Sequence, residues 1–204
     1  MTKDFWNDRF GQKEFVYGEA PNEYLKDKLK NLTPGKILLP ADGEGRNGVY
    51  AATLGWKVSC FDPSIEGKKK AEALAAKNKV SIDYKISDAE NAGYPKESFD
   101  AMALIFSHFP EEKRTGWHKH FSSFLKKGGA LIVEVFSKKQ LEYQKKNPTA
   151  GGPKELNMLY DLERLKKDFP GYTFKEAYET ETELHEGKYH EGKGSVIRIF
   201  AIKN

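Results

Sequence analysis

Apolar and polar positions between Lys36 and Phe136 fall into short apolar runs separated by helix-compatible stretches. The runs predict strands over Lys36–Pro40, Lys57–Phe61, Val80–Ile86, Phe99–Phe106 and Ala130–Phe136. Between most of them the pattern predicts helices, over Arg46–Leu54, Ser64–Asn78 and Glu111–Leu125. The second is rich in Ala and Lys, which are good helix formers, and Ser64 fits its N-cap. Short apolar strands alternating with helices predict a parallel α/β sheet with right-handed crossovers.

Two regions lie outside that alternation. Before the first strand, Asn22–Leu32 reads as a helix, preceded by an aromatic segment, Phe5–Tyr17. After Phe136 the sequence predicts a loop over Lys145–Lys154, then a helical stretch around Met158–Lys167. Two long β-like runs follow, Tyr172–Leu184 and Gly194–Ile202, joined by the turn-rich His185–Gly192. Such a link predicts an antiparallel pair. The expected organisation is one domain, with residues 1–34 as an N-terminal cover and helix, 35–136 as the alternating core and 137–204 as a further helix and the terminal antiparallel strand pair.

Composition narrows the class without choosing it. A chain of 204 residues with 38% hydrophobic and 13% aromatic residues can bury a sizeable core. Mean hydropathy is -0.71, and no apolar run reaches bilayer length, so no membrane association is expected. Met1–Trp6 lacks a signal-peptide stretch. The single cysteine, Cys60, sits in an apolar run, excludes an intramolecular disulfide and favours the cytoplasm. Net charge is only +4, and no basic patch is interleaved with aromatics, so no nucleic-acid partner is expected. Oligomeric state is not legible.

The chemistry collects at strand ends, where open α/β sheets bind ligands. After the first strand, Ala41-Asp42-Gly43-Glu44-Gly45-Arg46-Asn47-Gly48 gives the order strand, glycine turn, helix. Gly43, Gly45 and Gly48 match G-x-G-x-x-G literally, which points to an adenosine cofactor. The second strand ends at Asp62-Pro63-Ser64, where a carboxylate can accept from ribose hydroxyls or cap the next helix. After the third, Asp88-Ala89-Glu90 offers an acid to an adenine amino group, or an ordinary turn. Phe106, Ser107 and His108 close the fourth strand, and His108 is the histidine best placed for proton transfer.

Four segments resemble class I S-adenosylmethionine-dependent methyltransferases, and among them the small bacterial tellurite-resistance and thiopurine-methyltransferase-like groups. They are Phe5–Phe10 with Tyr17–Asn22, Ile37–Asn47, Val58–Ser64 and Leu125–Leu131. The resemblance implies a Rossmann-like three-layer sandwich with a mostly parallel seven-stranded sheet whose last strand is inserted antiparallel. It implies S-adenosyl-L-methionine as cofactor, S-adenosyl-L-homocysteine as product and a small-molecule methyl acceptor. It also implies that Trp6, Arg9 and Tyr17 enclose the methionine end, where a guanidinium can grip a carboxylate.

The chain departs from the family at Leu39, where many members carry an acid. Asp42 stands in the turn instead, and could contact the cofactor amino group. A nicotinamide-dependent reductase and a non-catalytic cofactor-binding protein remain as alternatives. Methyl transfer to a thiol, oxyanion or metalloid needs mainly in-line geometry, so no nucleophile or metal cluster is required. The histidine pairs His118/His120 and His185/His190 do not form a metal site by spacing. Tyr189 and His190, with the Lys145–Glu155 loop, are expected to line the acceptor pocket.

Overall fold

The computed structural model describes residues 2–204. Helix α1 (Lys3–Phe10) starts on Thr2, whose hydroxyl accepts from Phe5 N–H, and α2 (Glu23–Lys30) starts on Asn22, which accepts from Leu25 N–H. The alternating part runs β1 (Lys36–Pro40), α3 (Arg46–Thr53), β2 (Lys57–Asp62), α4 (Ile65–Lys77), β3 (Asp83–Ile86), β4 (Phe99–Ile105), α5 (Glu111–Phe124) and β5 (Leu125–Phe136). Then come α6 (Gln140–Lys146), α7 (Leu162–Lys167), β6 (Tyr172–His185) and β7 (Glu191–Lys203).

The seven strands lie in the order β3-β2-β1-β4-β5-β7-β6. β1 to β5 are mutually parallel where they pair, and β7 runs antiparallel between β5 and β6. This is the mostly parallel seven-stranded sheet with one antiparallel strand that the resemblance implies. Period-two alternation in β1 sends Leu38 to one face and Ile37 and Leu39 to the other. Leu38 packs with Phe121 and Phe124 of α5 and Leu165 of α7, whereas Ile37 and Leu39 pack with Leu25 and Leu29 of α2. Helices therefore cover both faces, giving three layers. Strand order turns back between β1 and β4, which places the switch point at their carboxyl ends.

Several boundaries differ from the sequence reading for local reasons. β3 begins at Asp83 rather than Val80, because Lys79 takes φ 58° in the turn after α4 and Val80 packs beside Val49 and Leu74. β5 begins at Leu125 rather than Ala130. The segment Lys126–Gly129 stays in the strand because the pairing with β4 is bulged between Phe99 and Ala101. The loop expected from Lys145 is helical up to Lys146, and the stretch expected as one helix is divided into a 3-10 turn (Leu156–Met158) and α7, which Asp161 caps. β6 and β7 are longer than expected and leave only residues 186–190 as their connection.

Candidate functional site

The glycine turn is strained where the sheet order reverses. Ala41, directly after β1, has φ 55°, and Phe106, directly after β4, has φ 49°. Left-handed backbone at non-glycine residues carries a cost that surrounding structure must offset, and it concentrates at functional sites. Gly45 has φ 81°, and a Cβ there would lie 2.4 Å from Ala71 Cβ, so only glycine lets α4 approach the turn. Gly48 is more than an early helix residue. It leaves room for the Asp42 carboxylate, whose Oδ2 accepts from Gly48 N–H at 3.1 Å.

Asp42, Arg46 and Asn47 therefore face inward, contrary to the cofactor contacts expected of them. Burial pushes the Asp42 carboxyl up to about 8, against the Gly48 hydrogen bond and the Arg46 charge. Arg46 Nη2 pairs with Glu186 Oε2 at 2.7 Å, and its Nη1 donates to the Ala20 carbonyl. Asn47 Oδ1 accepts from Asn22 N–H. Asn22 Nδ2 donates in turn to Glu134 on β5 and to Glu186 in the β6–β7 turn, at 2.6 and 2.9 Å. A buried polar network thus ties turn, N-terminal segment and terminal hairpin together.

Asp62 ends β2 beside the turn. Its Oδ1 accepts from Ser64 N–H at 2.9 Å, and burial raises its carboxyl to about 6 although N–H groups of Ser64 and Gly43 favour the charged form. Ser64 caps α4 and donates to Asn7 Oδ1, so its hydroxyl is used. A cleft of about 350 Å³ opens next to Asp62, lined by Lys3, Pro63, Ile86, Ser87 and Asp88. Ile86 is 44% exposed, an apolar side chain left open at its floor. Asp88 is exposed, with Oδ1 accepting from Asn91 N–H and Nδ2, so the turn role and a free carboxylate oxygen coexist. Ala89 belongs to the core and Glu90 pairs outside with Lys113, so neither faces this cleft.

The N-terminal segment covers the turn. Trp6 stacks on Phe10 with centroids 5.2 Å apart, and a Cβ on Gly43 would meet Phe10 at 2.9 Å. Arg9 lies 4.4 Å over the Tyr189 ring and donates to Tyr17 Oη at 2.9 Å. Glu44 secures this cover. Its Oε2 accepts from the N–H groups of Val16 and Tyr17, and its Oε1 pairs with Lys70.

At the end of β4, Ser107 is buried, and its hydroxyl donates to the Pro40 carbonyl. His108 is not a proton-transfer group. Its Nδ1 lies 2.9 Å from the Met158 carbonyl, which can only accept, so Nδ1 carries the proton. Its Nε2 accepts from Phe136 N–H, and burial pulls its pKa down to about 3. The ring is a neutral strut between two backbone groups. His190 lies instead among Tyr17, Phe106 and Phe136, at ring distances of 4.6, 4.5 and 5.1 Å. Tyr189 sits beside it, half-buried.

The structure thus gathers Pro63 and Asp88 at one cleft, with Asp62 buried next to Pro63, and Arg9, Tyr17, Phe106, Tyr189 and His190 at the neighbouring strand ends. Lys3, Glu44, Glu134 and Glu186 escape sequence reasoning. Glu44 alone carried a signal, as an acid inside a glycine turn.

Residues 37–129 match the model of the methyltransferase domain family. Around this segment, the molecule has the fold of class I S-adenosylmethionine-dependent methyltransferases, and S-adenosylmethionine is the methyl donor of that class. TehB from Haemophilus influenzae superposes with TM-score 0.72 at 18% identity, over 99% of this chain and 67% of that one. The magnesium protoporphyrin IX methyltransferase ChlM of Synechocystis PCC 6803, with bound SAH, gives 0.72 at 16% identity, over 99% and 98%. A structure from the conversion of a disulfide bond into a thioacetal group during echinomycin biosynthesis gives 0.80 at 15% identity, over 100% and 92%. No curated protein sequence matches the chain.

Proposed function

We propose that this protein transfers a methyl group from S-adenosylmethionine to a small-molecule acceptor. Adenosine fits the cleft beside β2, with ribose hydroxyls donating to Asp62, the adenine ring covering Ile86 and Pro63, and Asp88 at its amino edge. The acceptor then approaches the carboxyl end of β4 beside Phe106, beneath the cover formed by Trp6, Arg9 and Tyr17. The observation that carries the reading is the meeting, at one sheet edge, of the Asp62 carboxylate, the open cleft with its uncovered Ile86, and the two strained residues Ala41 and Phe106. The contribution of the chain is orientation and exclusion of water rather than covalent chemistry.

Calorimetry with S-adenosylmethionine, S-adenosylhomocysteine and NAD(H) tests this. Both sulfur nucleosides are expected to bind and NAD(H) is not. Asp62→Ala removes a charged hydrogen-bond acceptor and is expected to weaken binding roughly ten- to hundredfold. Binding of NAD(H) alone would sink the methyltransferase reading. Binding without S-adenosylhomocysteine production across thiol, oxyanion and metalloid acceptors would identify a non-catalytic binder.

A further inference from the structure

The β6–β7 turn carries an imidazole that binding of the methyl donor does not require. His190 is buried, and its Nδ1 lies 3.2 Å from Glu186 Oε2. Glu186 also accepts from Arg46 Nη2 and Asn22 Nδ2. Burial opposes its charge, but Arg46 and His190 outweigh that and hold its carboxyl at about 2. An ionised carboxylate only accepts, so the proton of the neutral ring sits on Nδ1 and Nε2 keeps its lone pair. Among the described residues Nε2 has no hydrogen-bond partner, yet it is not one of the sealed, unpartnered atoms. Gly151 packs its backbone against the Cδ2 side of that edge, and only a glycine fits there, since a Cβ would lie 2.4 Å from His190 Cδ2 and 3.2 Å from Nε2.

The ring faces the ends of β4 and β5, through Phe106 and Phe136, and the cover, through Tyr17. The charged or titratable groups around it are Glu186, Arg46, Arg9, Tyr17, Tyr189 and His108. Neither arginine is spare for an anionic acceptor. Arg46 is spent on Glu186, and Arg9 is stacked among rings and bonded to Tyr17. An anion would also need no base. Aromatic walls around a neutral imidazole suit an uncharged, soft, protic acceptor instead.

We infer that His190, held by Glu186, is the general base for methylation of an uncharged thiol. This rests on the methyltransferase reading above and specifies its acceptor. The thiol sulfur bonds to the methyl carbon while that carbon's bond to the sulfonium sulfur breaks. The thiol proton passes to Nε2. Positive charge thus moves from the sulfonium to an imidazolium beside Glu186, and both products, the methyl thioether and S-adenosylhomocysteine, are neutral. Thiols titrate near the range in which an imidazole transfers protons efficiently, whereas alcohols lie far above it.

The test uses the full chain and thiols whose pKa values lie on either side of the assay pH. In the wild type, two-bond proton–nitrogen NMR is expected to show His190 with Nδ1 protonated and Nε2 bare. His190→Gln is expected to keep S-adenosylhomocysteine affinity within about twofold, and to lose about 10²-fold in kcat/KM for thiols of pKa about 8.5 and above. For thiols already ionised the loss is expected to be small. The acid limb of the wild-type pH profile should coincide with the NMR titration of His190 and vanish in the variant. An equal loss for every thiol, or a protonated Nε2, overturns the assignment. If His190→Gln does not fold, a mismatch between the wild-type kinetic and NMR titrations does so. A wild type that binds S-adenosylhomocysteine but methylates no thiol overturns the base and leaves the methyltransferase reading standing. Failure to bind either sulfur nucleoside overturns that reading itself.

Discussion

Asp42 and Asp62 both follow central strands, and burial raises both carboxyls, to about 8 and about 6. Their surroundings differ: Asp62 adjoins Pro63, which lines an open cleft, and Asp42 is enclosed beside Gly48 of α3. An unfolded aspartate titrates near 3.8, so between that pH and 8 the folded state holds a proton on Asp42 that the unfolded chain has lost. Stability from this residue is complete below 3.8 and declines as pH rises towards 8. Asp42→Asn keeps an oxygen to accept from Gly48 and removes the titration. Its advantage over the wild type should be negligible at pH 4 and on the order of 5 kcal/mol by pH 8. Urea midpoints at the two pH values measure this, and an unchanged difference between them would show that Asp42 ionises without penalty.

At the scale of elements, Glu44 joins two segments that share no regular hydrogen bonds. It takes up the N–H groups of Val16 and Tyr17 and the ammonium of Lys70 while almost fully buried. Glu44→Ala strands two N–H groups, at about 1–3 kcal/mol for a buried one, and should loosen the cover first. Faster proteolysis within residues 11–20, with the sheet still folded, is the expected sign; cleavage only on global unfolding would contradict it. Gly45→Ala should cost more than about 1 kcal/mol in thermal stability, since it combines left-handed backbone with a clash on Ala71. What was legible in the sequence follows from distance along the chain. The strand, turn and helix around Gly43 and Gly45 are encoded in adjacent residues, and so is the Asp62 position. Arg46 and Glu186 are 140 residues apart, and nothing local to either marks the pair. Arg46 stands in the turn where a cofactor contact is expected, and only tertiary pairing spends its guanidinium on Glu186 and the Ala20 carbonyl. His108 misled in a similar way, because its partners, Met158 and Phe136, become neighbours only through tertiary packing. The apolar run starts only at Ala130 because Lys126–Gly128 are charged or glycine and not enclosed, although their backbone continues β5.

Over the whole molecule, the N-terminal segment and the terminal hairpin close together over the switch point, and that closure sets the response to pH. Burial holds His108, His118 and His190 neutral, with pKa values below the ordinary 6.5 and His108 at about 3. A histidine depressed in the folded state contributes stability that is complete above 6.5 and is lost as pH falls towards the folded value, because only the unfolded chain takes up the proton. Glu186 and Asp168, held below their ordinary values, add to the loss at still lower pH. The raised carboxyls of Asp42, Asp62 and Glu134 act in the opposite sense, favouring the fold at low pH. Above pH 6.5 the histidines no longer differ between the two states, and Asp62 has nearly finished titrating. Asp42 still differs up to about 8. The melting temperature should therefore peak near pH 6.5, fall on the acid side as the histidines protonate, and decline gently towards pH 8. Melts across pH 3 to 9 test this, with Asp42→Asn expected to flatten the alkaline side and to steepen the acid side, because Asp42 opposes the histidines all the way from 3.8 to 8. A melting temperature that rises as pH falls below 6.5 would mean that these histidines are charged in the folded protein, leaving only the raised carboxyls to shape the acid side. The lone pair on His190 Nε2 would then be lost as well, because the burial that produces the acid limb is what keeps that imidazole neutral beside the ends of β4 and β5.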